Sequence, residues 1–195
     1  IQTIDGGHEV NEVFFDDVEV PYENLIGEEN KGWDYAKFLL GNERTGIARV
    51  GVSKERLRRI RALASKVESG GRPVIEDPAF REKLTACEIE LKALELTQLR
   101  VVADEGKHGK GKPNPASSVL KIKGSEIQQT TTELLMEIIG PFAAPYDEHG
   151  DAGSNESMDW TAQIAPSYFN NRKVSIYGGS NEIQRNIISK AVLGL

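Results

Sequence analysis

The sequence predicts an all-α, four-helix-bundle-like domain preceded by a remnant of a β domain, and three observations predict it. Apolar residues recur at helical spacing along several long stretches. Breakers rich in Gly and Pro separate those stretches. Strand-like alternation is confined to the first thirty residues, too little to make a sheet alone. The expected division is therefore 1–30, the end of a β domain with its connection, and 31–195, a helical-bundle domain.

The elements follow in order. Residues 9–20 alternate as Glu-Val-Asn-Glu-Val-Phe-Phe-Asp-Asp-Val-Glu-Val and stop at Pro21, the pattern of a strand. Tyr22 to Gly32 is a connection rich in turn formers. One long helix is expected from about Lys31 to Ser69, ended by Gly70-Gly71-Arg72-Pro73. A second starts near Asp77-Pro78, where Asp caps and Pro takes the first turn; its stripe is Phe80, Leu84, Cys87, Leu91, Leu94 and Val102, with Gly106 after its end. A third follows Pro113-Asn114-Pro115 with the seam Leu120, Gly124, Ile127, Thr131, Leu134 and Ile138. Residues 140–160 form a loop, and two shorter helices are expected at 161–172 and 180–193. Before the last of these, Gly178-Gly179 precedes Ser180, a good N-cap, and an apolar run continues at Ile183, Ile187, Ile188 and Val192. The backbone N–H groups at such a helix start can receive an anion or the polar edge of a cofactor.

The totals exclude several classes. A hydrophobic content of 38% and charged content of 28% describe an ordinary soluble chain. No apolar run approaches the ~20 residues that span a bilayer, and no signal peptide is visible. The lack of an initiator Met and the strand-like opening point to a truncated or proteolytically released piece. The single Cys87 forbids an internal disulfide, fits the cytoplasm or another reducing compartment, and lies on an apolar stripe as a core residue would. Residues 1–30 hold nine acidic side chains and no Lys or Arg, which disfavours nucleic acid as a partner there. His8, His108 and His149 lack companions at metal-ligand spacing, so no metal is expected. Gly106 to Lys112 fits seven positions of a P-loop, but Pro113 stands where Ser or Thr must ligate magnesium.

Chemistry is concentrated on the first helix. Its stripe reads Ala36, Leu40, Glu43, Ile47, Val50 and Leu57, which sets a carboxylate on an apolar face with no cation among its helical neighbours. Desolvation raises the pKa of such a group toward the value a general base needs. Glycines at 41, 46 and 51 let something bulky approach the backbone. Two readings stay open on residues alone: a buried base beside a ligand, or a solvated glutamate on a helix whose glycines serve tight packing.

The tail Tyr177-Gly-Gly-Ser-Asn-Glu-Ile-Gln-Arg-Asn186 resembles the C-terminal, FAD-proximal signature of the acyl-CoA dehydrogenase family. Asn11-Glu-Val-Phe-Phe-Asp-Asp-Val-Glu-Val-Pro-Tyr-Glu-Asn-Leu-Ile-Gly27, followed by Gly32-Trp33, looks like the last strand of that family's middle β domain entering its helical domain. The resemblance implies FAD as cofactor, with Gly179, Ser180, Glu182 and Gln184 beside it. It implies an acyl-CoA substrate near Arg44, Tyr177 and Gly178, electron-transfer flavoprotein or a similar acceptor, and a dimer of dimers of identical or related subunits. Glu43 falls where isovaleryl-CoA and long-chain members carry their catalytic glutamate, whereas medium- and short-chain members place theirs where Gly178 stands here. Glu43 would then take the pro-R α-proton of the thioester while flavin N5 accepts the β-hydride.

Two stretches depart from the pattern. Arg72-Pro-Val-Ile-Glu-Asp-Pro-Ala-Phe80 stands where homotetrameric members carry Arg-x-x-Phe-Gly, and Glu137-Ile-Ile-Gly-Pro-Phe142 where they carry Gln-h-h-Gly-Gly-x-Gly, h being apolar. Both serve the neighbouring subunit's FAD in those members, so the departures imply a heteromeric enzyme whose related partner supplies the missing contacts. Arg56, Arg58, Arg59, Arg61 and Lys66 read as a solvated face, with contact to a CoA phosphate as the alternative. By itself the chain is expected to hold no FAD and turn nothing over. An acyl-CoA oxidase-like flavoenzyme and a non-catalytic subunit completing a partner's site are the alternative functions.

Overall fold

A computed structural model describes residues 1–42, 46–108, 115–143 and 161–195. The elements are α1 (Gly32–Asn42), α2 (Val50–Ala64), β1 (Glu68–Ser69), β2 (Arg72–Pro73), α3 (Pro78–His108), α4 (Ala116–Ile139), α5 (Ile164–Asn170) and α6 (Asn181–Ile188). Short 3-10 turns at Gly46–Ala48, Val74–Glu76, Gly140–Ala143 and Asn171–Ser175 link them, and Ser189–Leu193 continues α6 as a π-helical turn. The fold is all-α, with one small antiparallel hairpin pairing Glu68 with Pro73 and Ser69 with Arg72.

α4 is the central helix: α2, α3, α5, α6 and the turns at Gly46–Ala48 and Asn171–Ser175 all pack on it. Its sequence explains this, because Leu120, Gly124, Ile127, Thr131, Leu134 and Ile138 make one buried seam while Ser117, Ser118 and Thr132 admit neighbours on the flanks. α3 contributes Phe80, Leu84, Cys87, Leu91 and Leu94, all at most 4% exposed. It starts where expected, the Asp77 carboxylate accepting the Ala79 N–H at 2.9 Å. The seam ends one residue earlier than the stripe read from the sequence. Val101 is buried and Val102 is exposed, because Val101 lies seven residues beyond Leu94 and keeps the spacing of Phe80, Cys87 and Leu94, whereas Val102 lies eight beyond. α3 also continues through Gly106 to His108, so the P-loop-like run begins inside a helix; its remainder lies outside the described residues.

Two expectations need correction. The single helix from Lys31 to Ser69 is instead α1 and α2, separated by the turn Gly46–Ala48 and by Arg49, whose φ of 46° is left-handed and cannot continue a helix. Glycines and β-branched residues surround that point, so little local propensity opposes the break. The strand expected over 9–20 has no partner among the described residues, and the segment runs exposed. An isolated strand leaves its ladder N–H and C=O groups to water and has nothing to stabilise it. The loop expected over 140–160 begins with the Gly140–Ala143 turn, and residues 144–160 lie outside the description.

The C-terminal part is held to α4 by polar side chains. Arg172 donates to Glu133 Oε1 at 2.8 Å and to the Gln129 carbonyl at 3.2 Å, and its guanidinium lies 4.4 Å from the Tyr168 ring centroid. The basic run on α2 resolves residue by residue. Arg58 pairs with Glu55 and Arg61 with Glu88 as exposed ion pairs, while Arg56 is half-buried and donates to Asn171 Oδ1 at 3.2 Å. Burial, with Arg49 nearby, draws the Arg56 pKa down. No helix among the described residues is long and apolar enough to cross a membrane.

Candidate active site

The tail motif folds as a turn and a capped helix. Gly178 and Gly179 take φ of 68° and 81°, a conformation that L side chains rarely adopt. Ser180 is extended and its Oγ accepts the Ile183 N–H at 3.4 Å, which starts α6. The turn lies against the Gly46–Ala48 segment, for a Cβ added at Gly178 would stand 2.7 Å from Ile47 Cδ1. Position 178 therefore touches Ile47, four residues after Glu43 in sequence.

Between these parts lies a cleft of about 550 Å³, walled by Ile47, Tyr177, Ile183 and Ile187 and floored by Lys121, Ser125 and Gln128 of α4. Apolar walls with a few placed polar groups are what a planar ring or an acyl chain requires. Gln184 is buried and its Nε2 donates to the carbonyls of Gly178 and Gly179 at 3.2 and 3.4 Å, so it braces the turn from within. Glu182 is exposed beside the helix start. Its own backbone N–H and the Ser180 hydroxyl hold its carboxyl below the usual glutamate range. Tyr177 stands half-exposed at the cleft's rim.

The structure thus gathers Tyr177, Gly178, Gly179, Ser180, Glu182 and Gln184 around one turn, with Gly179 and Gln184 serving it as much as any ligand. Glu43 and Arg44 lie outside the described residues. α6 differs from its sequence-based reading: its buried residues are Asn181 and Gln184, while Ile183 is 51% exposed toward the cleft. Three residues escaped the sequence argument. Lys121 is 3% exposed and donates to the Ser175 carbonyl at 2.9 Å and to Asn181 Oδ1 at 2.8 Å. Asn181 Nδ2 in turn donates to Ser125 Oγ at 3.0 Å. Burial draws the Lys121 pKa down, opposed by the Glu182 charge. The available signal was a lysine on the inner face of a helix, between Ser117 and Gly124.

The two stretches that depart from the resemblance also converge. Arg72, Pro73, Val74, Phe80, Glu137, Pro141 and Phe142 line one further cleft beside the hairpin. There Lys83 Nζ holds the Glu137 carboxylate at 2.9 Å from each oxygen.

Comparison with known proteins agrees with this geometry. Acyl-CoA dehydrogenase IpdE1 of Mycobacterium tuberculosis is 33% identical over 196 residues, covering 100% of this chain and 46% of that protein. The mitochondrial long-chain specific acyl-CoA dehydrogenase of Sus scrofa is 29% identical over 187 residues, covering 93% of this chain and 39% of that protein. Among solved structures, the ChsE4-ChsE5 complex from Mycobacterium tuberculosis superposes with a TM-score of 0.71 at 27% identity, over 93% of this chain and 45% of that one. The chain spans about half the length of the curated relatives it matches. A family model described as the acyl-CoA dehydrogenase C-terminal domain matches residues 30–193. With that match over a helical fold whose tail turn borders the cleft, the chain belongs to the acyl-CoA dehydrogenase family and carries its C-terminal domain.

Proposed function

We propose that this chain forms the helical part of an enzyme that desaturates an acyl-CoA thioester between its α and β carbons, with FAD as cofactor and Glu43 as the base. The observation that carries the proposal is the contact between Gly178 and Ile47. The family resemblance implies that members place the glutamate either at the tail position or where Glu43 stands, and here the tail touches the Gly46–Ala48 turn that follows residue 43 in sequence. That contact supports reading the two positions as alternatives for one base. The tail position is glycine in this chain, which leaves the role to Glu43.

The residues present fit a flavin. The left-handed Gly178-Gly179 turn carries no side chain between its backbone and the cleft, and α6 presents its N-terminus beside it. When bound, the flavin supplies the acceptor for the hydride leaving the β carbon. Ser180 fixes the helix start, Gln184 holds the turn's carbonyls, and Ile183 and Ile187 give the cleft an apolar wall that would exclude water from a bound ring. Glu43 takes the α-proton onto its carboxylate oxygen, so that proton and hydride leave adjacent carbons and a double bond remains. Arg44 and Tyr177 border the acyl group.

Residues 1–30 we assign to the end of a β domain and 31–195 to the helical domain. The exposed, unpaired stretch 9–20 supports that division. Electron-transfer flavoprotein or a similar carrier takes the electrons onward. Convergence of Arg72–Phe80 and Glu137–Phe142 on one cleft supports a related partner subunit whose FAD site this face completes imperfectly. The similarity to one chain of the ChsE4-ChsE5 complex favours the same reading.

The test is activity of the full-length protein, alone and co-expressed with a related subunit, against a panel of acyl-CoA esters. Glu43→Gln should retain flavin and lose roughly 100- to 10,000-fold in kcat. Unchanged turnover in the assembled enzyme would remove Glu43 as base and leave a scaffolding role. Stoichiometric peroxide in place of reduced carrier would identify an oxidase.

A further inference from the structure

Lys121 is an unusual group for the centre of a bundle. It is 3% exposed, and among the described residues no carboxylate pairs with it; its ammonium donates to two neutral oxygens instead. Those oxygens have a telling relationship in sequence. The Ser175 carbonyl closes the 3-10 turn before Tyr177-Gly178-Gly179-Ser180, and Asn181 opens the helix after it. One ammonium therefore pins both ends of the five-residue segment 176–180 to α4. Asn181 carries a second tie one turn along the same helix, donating to Ser125 Oγ at 3.0 Å. The Ser125 hydroxyl itself donates a hydrogen bond to the Ile122 carbonyl at 2.8 Å, so the network ends on helix backbone.

A buried charge with neutral partners is costly unless geometry is strict, because each lost hydrogen bond leaves the ammonium under-solvated. Between those two ends the segment is braced by Gln184 on the Gly178 and Gly179 carbonyls, but that brace belongs to α6 and does not tie the turn to α4. Ile176, Tyr177, Gly178 and Gly179 are all exposed, and two of the four are glycines. We propose that Lys121 is a positioning residue which sets the Gly178-Gly179-Ser180 backbone at the flavin-facing wall of the cleft. This rests on the reading of that turn as the cofactor's neighbour. Lys121 acts through the turn and touches no reacting atom.

The full-length enzyme, purified with its flavin and any partner subunit, allows the test. Two variants are compared with the parent: Lys121→Met, which keeps the length of the stem and removes the ammonium, and Asn181→Ala, which removes the acceptor and the tie to Ser125 without lowering helix propensity. Amide hydrogen exchange over 176–184 and the FAD dissociation constant are read together. The expected result is exchange about tenfold faster over 176–184 in both variants, unchanged exchange in α3, and FAD affinity lower by a similar factor. Asn181→Ala keeps the test alive if Lys121→Met does not fold. Exchange within twofold of the parent in Asn181→Ala overturns the clamp itself. Faster exchange with unaltered FAD affinity and visible spectrum overturns the cofactor role of the turn instead, which separates the two failures.

Discussion

A single missing side chain sets the distance between two segments of the bundle. A Cβ at Gly124 would stand 2.7 Å from Ala48 Cα and 2.8 Å from its carbonyl oxygen, both backbone atoms that cannot swing aside. Gly124→Ala should therefore push the Gly46–Ala48 turn off α4 and destabilise the fold by about 2 kcal/mol, within the usual range for overpacking. For a chain of this length that is a fall of roughly 4–8 °C in Tm, readable by calorimetry. Gly51 is the contrasting case, since among the described residues nothing beyond its own helix lies within 4 Å of the Cβ it lacks. Gly51→Ala should raise the stability of the isolated chain by up to about 1 kcal/mol. If the glycine exists to admit a ligand or another domain, the same change weakens flavin or substrate binding in the full-length enzyme. Equal gains in both would mean the position is merely unoptimised. Cys87 offers a pH test at the same scale. Burial pushes its thiol up to about 11 from an ordinary value near 9.0. Between those two values the unfolded chain releases the proton and the folded chain keeps it, so stability falls as pH rises through that window. Urea unfolding at pH 8 and 10 should show the loss, and Cys87→Ala should lack it. Thiol reagents should reach Cys87 only on unfolding.

Among the elements, those whose partners are apolar were legible in the sequence. The seams of α3 and α4 could be read from spacing because each turns one stripe toward a shared core, and only Val102 was misplaced, by one residue. The N-terminus of α3 was legible for a different reason, its Asp-Pro pair having a local mechanism. Asp77→Ala should cost about 1 kcal/mol, seen as a shift of the urea midpoint without a change in slope. The break between α1 and α2 was not legible. The helical spacing continues from Ala36 through Leu57, but α2 starts afresh after Arg49, a non-glycine residue whose positive φ no apolar spacing records. α6 misled in the opposite sense. Its spacing is amphipathic, but Ile183 and Ile187 line the cleft while the polar Asn181 and Gln184 are buried, because these two find partners in Lys121, Ser125 and the turn carbonyls. Periodicity gives the faces of a helix but not which of them a protein buries. The tail motif was legible as a glycine turn with a serine cap; its anchor on α4 was not, since Lys121 and Ser125 stand some sixty residues from Asn181 in sequence.

For the molecule as a whole, the distribution of exposed apolar side chains argues that the first forty residues belong against something else. Phe14 and Phe15 are 83% and 80% exposed, Trp33 and Phe38 each 70%. They follow one another along a stretch with no packed core of its own, whereas the bundle from α2 onward has a buried core that includes Leu57, Ile60, Phe80, Leu84, Leu120 and Leu134. Surfaces of that kind in a soluble protein mark contacts with another domain or subunit. The curated relatives, about twice as long, have the chain length to supply one. The isolated 195-residue chain should accordingly bind an apolar dye such as anilinonaphthalene sulfonate strongly and self-associate at micromolar concentration. The full-length protein should do neither, and a chain beginning at residue 46 should lose most of the dye signal while keeping its helical circular dichroism. If that shorter chain binds dye as strongly, the open apolar area that matters is the outer face of α3. Ile89, Leu96 and Leu99 are 66%, 52% and 60% exposed there. The contact would then be one between bundles, and analytical ultracentrifugation of Leu96→Glu against the parent would locate it.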